Sequence, residues 1–362
     1  LRGKTHFAST VRSGERRKPG SDGDLAKGFF ERAAHLDPNY AEAWAWLSMA
    51  GPRRSPAQLD AAAENAEKAL RLDADQIVAR RALVNIYHQM GRDEEVLPHA
   101  RWVLAYGGDG PEALAVAGRA FFRVGLLAQG VSLLEQALRK DPQDEVTRSD
   151  LAFAYLFSRQ YPKMLDVLAP IADQPRARWH LVFNYADRGE CDKALELARG
   201  LDHSPTESEY FLGKGFEACG DRTSARNLWS TDAARLEKEL AHEDSAVTRI
   251  MLANEYAELG QRAQALQAIR RAQELGPGNS SVLYYSAQTR AILGDRREAI
   301  EYLKQAVEHG YMAIHYLDRY EQWPYGLCRL REDPEYRAIH NQLAKKVESI
   351  GRQFADARYR WN

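Results

Sequence analysis

One arrangement of small and bulky residues recurs along this chain at intervals of about 34 residues, and any fold must respect that period first. It is plainest from Pro111 to Pro142. Counted from Pro111, Gly118 and Gly130 fall at positions 8 and 20, where small residues let two helix backbones approach closely. Leu114, Ala117, Phe121, Leu134 and Ala137 take positions 4, 7, 11, 24 and 27, and the larger of them fill the space between those helices. Gly125, at position 15, is placed to end the first helix in a left-handed cap. Pro142, at position 32, closes the second, because proline cannot continue a helix.

The spacing returns throughout. Downstream it gives Leu151, Ala152, Tyr155 and Leu168, then Leu181, Tyr185, Gly189 and Ala194, then Leu212, Gly213, Phe216, Gly220 and Trp229. Leu252, Ala253, Tyr256, Gly260, Ala265 and Pro277 follow, and then Leu283, Ala287, Gly294, Ala299 and Leu303. Upstream stand Leu83, Tyr87, Gly91 and Ala100, and before them Trp44, Leu47, Ala62, Ala66 and Ala69. Ala26, Phe30, Ala33 and Pro38 suit the second helix of a still earlier unit. The pattern resembles the tetratricopeptide repeat (TPR) family, whose unit is a pair of antiparallel helices. The resemblance implies an all-α fold, a right-handed α-solenoid of about nine helical hairpins.

The ends depart from the period. Residues 1–23 read as a helix and a basic, Gly-rich loop that interrupts the first repeat, with the array spanning 24–310. Residues 311–362 carry nine aromatic residues and no clean repeat register. Within them Asp333 is placed to cap a helix that begins at Pro334, and the segment suits the capping role that a solenoid end needs.

Composition narrows the function classes. Fifty Lys and Arg balance 51 Asp and Glu, so there is no global pull toward nucleic acid or anionic lipid. The longest apolar run, Leu151 to Phe157, is far short of the roughly 20 residues of a membrane span. Cys191, Cys219 and Cys328 lie far apart with no C-x-x-C pair, which points to a reducing, cytoplasmic setting and to small packing residues at 191 and 219. The chain starts at Leu1 and reads as a piece cut from something longer. No phosphate loop, H-E-x-x-H or G-x-S-x-G motif is present, and Gly213-Lys214-Gly215 lacks the residues that would complete a phosphate loop. His88 and His99 are placed to share a ligand only across two helices, and packing explains them better. The sequence thus points away from catalysis, cofactors and metals.

In TPR proteins, positions 2, 5, 9, 12 and 13 of each unit face the concave groove. Carried onto this chain, they give Arg81, Asn85, His88 and Gln89, then Arg119, Phe122 and Arg123, then Ser149, Phe153 and Phe157. Arg176, Trp179 and Phe183 follow, then Tyr210, Lys214, Asn254, Tyr284 and Gln288. Arginine forks bind carboxylates and large rings anchor apolar side chains, so the middle of this ribbon suits a peptide. Phe153, Phe157 and Phe183 are equally suited to packing. The residue set of chaperone-tail carboxylate clamps is not met, since Val116, Val146 and Asp150 stand where that clamp needs Asn, Lys and Arg.

The opening from Phe29 to Trp44 is similar to TPR regions appended to bacterial regulators, behind an adenylate cyclase or winged-helix domain. The expected function is a protein-interaction scaffold that binds a protein or peptide. A homodimerising element, or a sensor or enzyme with an unrecognised site, stands as the alternative. An open basic and aromatic groove would favour the scaffold, whereas a groove plugged by its own C-terminal segment would favour dimerisation. Nucleic acid is not an expected partner, because Arg and Lys are interleaved with Asp and Glu.

Overall fold

The computed structural model describes residues 4, 22–50, 55–108, 110–199, 209–320 and 326–356. Side chains at 22, 23, 175, 176, 209, 211, 319, 320 and 354–356 lie outside that description. The interrupted basic loop expected before residue 22 also falls outside it. Every regular element among the described residues is helical, and none is a strand.

Two compact units divide the chain at residues 109 and 110. The first contains α1 (Asp22–Leu36), α2 (Ala41–Ala50), α3 (Pro56–Leu72), α4 (Ile77–Gln89) and α5 (Asp93–Tyr106). The second begins with the hairpins α6 (Pro111–Arg123) with α7 (Leu127–Lys140), and α8 (Glu145–Phe157) with α9 (Tyr161–Leu168). It continues with α10 (Pro175–Asp187) and α11 (Cys191–Arg199), then α12 (Glu209–Ala218) and α13 (Arg222–His242). The hairpins α14 (Ala246–Glu258) with α15 (Arg262–Leu275), and α16 (Ser280–Ile292) with α17 (Arg296–Glu308), complete the repeats. Beyond them lie α18 (Ile314–Tyr320), a 3-10 turn at Gly326–Leu330 and α19 (Pro334–Asp356). The described residues therefore hold eight full hairpins and the second helix of a ninth.

Local chemistry sets the helix starts. Ser55 and Gln58 form a reciprocal capping box ahead of α3, with Pro56 inside the first turn. Asp144 accepts from the backbone N–H groups of Val146 and Thr147, and Asn279 does the same for Ser281 and Val282. Asp333 caps α19 as its sequence predicts, accepting from the Glu335 N–H at 2.8 Å. Between the helices of a hairpin the chain turns through the left-handed region, as at Gly125 with φ 84°. There the Leu126 N–H reaches back to the Phe121 carbonyl at 2.8 Å. In the α8–α9 turn the same job falls to Arg159, the one described non-glycine residue at positive φ.

The small positions work as expected. A Cβ on Gly118 would stand 2.9 Å from Leu134 Cγ, and one on Gly130 would stand 2.9 Å from the Gly118 carbonyl oxygen. Gly213 lies under the Trp229 indole, whose Nε1 would be 2.2 Å from an added Cβ. That indole donates to the Tyr210 carbonyl at 3.2 Å, which fixes its place. Ala253 is fully buried at the equivalent contact.

The cysteines need correcting. Cys191 and Cys219 are bonded as a disulfide, with their Cα atoms 5.2 Å apart, rather than acting as small packing residues. Cys191 opens α11 and Cys219 directly follows α12 of the next hairpin, and the stacking of the two hairpins brings them side by side. Disulfides persist in oxidising surroundings, so cysteine usage no longer supports a reducing compartment. No described helix is long and apolar enough to cross a membrane.

Candidate functional site

Within residues 110–356 first helices of neighbouring hairpins, such as α8 with α10 and α14 with α16, lie against one another, and side chains along their inner face form two sectors. Large rings build the first sector. Phe122 on α6, Phe153 and Phe157 on α8, and Trp179 and Phe183 on α10 form an unbroken chain of contacts. Centroid separations are 5.7 Å for Phe122–Phe153, 4.8 Å for Phe153–Phe157, 6.1 Å for Phe153–Trp179 and 4.9 Å for Trp179–Phe183. Phe122 and Phe183 are buried, whereas Phe153, Phe157 and Trp179 are half-buried. His180 sits behind them, with Nε2 3.0 Å from the Ser149 hydroxyl.

The second sector is polar and largely buried. The Lys214 side chain is 2 % exposed and lies 2.9 Å from Glu258 Oε1, with Glu217 as its second carboxylate partner. The Tyr210 hydroxyl donates to Glu258 Oε1 at 3.1 Å and accepts from Gln288 Nε2 at 3.2 Å. The Thr289 hydroxyl donates to Asn254 Oδ1 at 2.6 Å. Burial pushes the Glu258 carboxyl above its ordinary range, and the Lys214 ammonium opposes that push. An ammonium held between two carboxylates has its donors committed inside the protein.

The segment after α17 crosses both sectors. Tyr311 stacks on Tyr284 of α16 at 4.4 Å and an interplanar angle of 7°. His315 of α18 lies 4.5 Å from Phe122 and 5.2 Å from Phe157, and Tyr316 lies 4.8 Å from Phe157. The turn at 326–330 then returns to α16, where a Cβ on Gly326 would be 2.4 Å from the Gln288 carbonyl oxygen. Helix α19 closes the circuit, with Val347 against Gly125 and Gly351 beside Leu126 and Gln129. His315 is buried and neither ring nitrogen has a hydrogen-bond partner among the described residues. Burial pushes its pKa down to about 3.

Of the residues expected to line a groove, Phe122, Arg119, Arg123 and Trp179 share the aromatic end. Arg119 is ion-paired to Asp150 at 3.1 Å. The Arg176 side chain lies outside the described residues. Tyr210, Lys214 and Asn254 form the buried polar sector. In the first unit, Arg81 and Asn85 are half-buried on α4, where the Asn85 amide donates to the Arg81 carbonyl at 3.2 Å. His88 beside them meets Asp93 at 2.8 Å.

The repeat positions select these residues but carry no information about His315 and Tyr316, which lie outside the period. Glu217 and Glu258 stand at positions 12 and 13 of their units, so a full transfer of the groove positions would have found them. No group of His, Cys, Asp and Glu among the described residues is arranged to hold a metal.

Comparisons with known proteins agree with this architecture. The profile described as tetratricopeptide repeat matches residues 246–279. No curated protein matches the chain in sequence. Among solved structures it is similar to the human IFIT1 dimer with PPP-AAAA, at 15% identity and a TM-score of 0.50, covering 79% of this chain and 68% of that one. The human IFIT1 dimer with m7Gppp-AAAA gives 16% identity and a TM-score of 0.51, with the same 79% and 68% covered. A Rap protein complexed with competence and sporulation factor gives 15% identity and a TM-score of 0.43, over 82% of this chain and 94% of that one. At such identities the likeness to the two IFIT1 structures is one of fold. The chain thus folds as an all-α array of eight helical hairpins, one of which, at 246–279, matches the tetratricopeptide repeat.

Proposed function

We propose that this chain is a non-catalytic protein-interaction scaffold that holds a peptide segment of its partner against the inner face of its repeats. The observation that carries the reading is that the inner face already holds a peptide segment. Residues 311–316 run over it as a short irregular stretch that enters a seven-residue helix, with Tyr311, His315 and Tyr316 seated among rings of the first helices. A surface that accepts one segment of this chemistry offers the aromatic anchoring that peptide partners use. The proposal extends to the setting: the array serves as the docking part of a larger bacterial regulator, consistent with the similarity of its opening residues to such regions.

Nucleic acid is left outside the proposed partners. Arg119 and Lys214, cations of the inner face, are already paired with Asp150, Glu217 and Glu258. The human IFIT1 structures contain PPP-AAAA and m7Gppp-AAAA, and those ligands belong to that protein.

By the criterion drawn from the sequence, an inner face plugged by the chain's own C-terminal segment favours the rival reading, a dimerising element whose C-terminal segment exchanges between copies. Sedimentation of the full chain over a hundredfold range of concentration decides between them, because an exchanged dimer dissociates on dilution and a scaffold monomer does not change. The docking reading itself is tested by affinity capture with the Arg123→Ala/Trp179→Ala double variant. A partner held at this end should bind at least about a hundredfold more weakly, given about 2 kcal/mol for a buried aromatic anchor and 1.5–3 for a charge-assisted bond. Unchanged capture by a variant of full helicity would place the partner elsewhere.

A further inference from the structure

Helix α18 is seven residues long, and the chain on either side of it is fastened to the same helix. Before it, Tyr311 stacks on Tyr284, and the Tyr311 N–H bonds the Ala306 carbonyl at 2.9 Å. After it, the 326–330 turn packs on Gln288 and Ile292, and the Arg329 guanidinium donates to the Ile292 carbonyl at 3.1 Å. Between these two tethers, among the described residues, the His315–Tyr316 pair reaches across to the rings of Phe122 and Phe157, Met312 and Ile314 lie against the Gly125 turn, and Asp318 meets His340 of α19 at 2.7 Å. The pair covers one end of the aromatic sector. Phe153 and Trp179, which continue that sector, remain half-buried.

We propose that α18 is a tethered lid occupying a peptide-binding site on the aromatic sector, and that the ligand is a linear segment presenting two adjacent uncharged rings. The ligand chemistry follows from the occupant. The Phe122–Phe157 end accepts a neutral imidazole and a phenol side by side, and it offers the buried imidazole no carboxylate or other hydrogen-bond partner among the described residues. A charged side chain in that position would lose its hydration with nothing in return. A partner is favoured over a second copy of the chain as occupant because both tethers hold α18 to α16 of its own molecule. Exchange would require the Tyr311 stack and the 326–330 packing to open together, whereas lifting α18 leaves both in place.

A tethered lid lowers the apparent affinity for an external ligand by the fraction of time the site is open. The inference rests on the docking reading above, and the test separates the two. The probe is a fluorescein-labelled synthetic peptide of residues 309–320, titrated against the full chain by anisotropy. The receptor is compared with a variant in which residues 314–320 are replaced by a Gly/Ser stretch of equal length, which retains both tethers and α19. Removal of the lid should tighten binding at least about tenfold, and Phe157→Ala in the lidless chain should abolish it. A second route, Tyr316→Ala in the otherwise intact chain, should tighten binding in the same direction and covers the case in which the linker variant fails to fold. Equal affinity for wild type and a folded lidless chain discards the lid while leaving the docking reading intact. A folded lidless chain that binds no peptide overturns both for this face. Peptide-reversible dimers of the wild type overturn the choice of partner, since the occupant would then be a second copy.

Discussion

The carbonyl oxygen of Met312 lies 2.5 Å from the point where a Cβ on Gly125 would stand. Gly125 ends α6 at φ 84°, and Ile314 and Val347 crowd the same point at 3.3 Å. Two demands therefore fall on one residue: a left-handed turn and room for another strand of backbone. Gly125→Ala should cost at least about 2 kcal/mol, more than positive φ alone would account for. The loss should appear with faster amide exchange at 311–320. An unaltered exchange pattern there would mean that the segment does not rest on this turn.

Glycines of the repeat should separate into two classes on substitution. Gly213→Ala forces the Trp229 indole to move, and Gly118→Leu drives a side chain into Leu134 and the α7 backbone, each costing about 1–3 kcal/mol or more. Gly294→Ala meets no atom within 4 Å, and only its φ of 81° opposes it, so about 1 kcal/mol is expected. Thermal unfolding of the three variants checks the ranking, and an unchanged melting temperature for Gly118→Leu would refute the helix register.

Acid should loosen this protein well above the carboxylate range. His315 is held down to about 3 by burial, and His99 down to about 4 by burial and the neighbouring Arg80 charge. Unfolded imidazoles titrate near 6.5, so below that pH the unfolded chain binds more protons and stability falls as pH drops. The urea midpoint should be lower at pH 5 than at pH 7. His315→Phe, which keeps a ring in place, should reduce that difference.

Lys214→Met would leave Glu258 buried with one hydroxyl donor, Tyr210, and without its counter-charge. Breaking a buried pair from one side costs about 3–5 kcal/mol. Adding Glu258→Gln should recover a large part of that loss, because it removes the stranded charge. A double variant no more stable than Lys214→Met in chemical denaturation would argue against coupling between the two.

The repeat was legible because close packing leaves few choices: Gly118, Gly213 and Ala253 occupy points where two helices touch, and larger residues do not fit. Arg159 shows the limit of that logic. The turn between α8 and α9 takes the left-handed conformation without glycine, because the packing of the hairpin fixes the chain on both sides. The path of 311–330 was not legible, since its contacts with Phe122 and Phe157 join positions far apart in sequence and obey no period. The disulfide escaped for a related reason. Its cysteines sit at unrelated places in their own units and become neighbours only when the units stack.

The bond between Cys191 and Cys219 changes what a cut in the chain means. Arg199 falls inside the loop that the disulfide closes, and its side chain is 63% exposed. Trypsin cleavage after Arg199 would sever the polypeptide without separating the pieces, because the crosslink spans the break. On a denaturing gel the nicked protein should run as a single species until a reductant is added, and then as two. The array can therefore be broken within this loop and remain, covalently, one molecule.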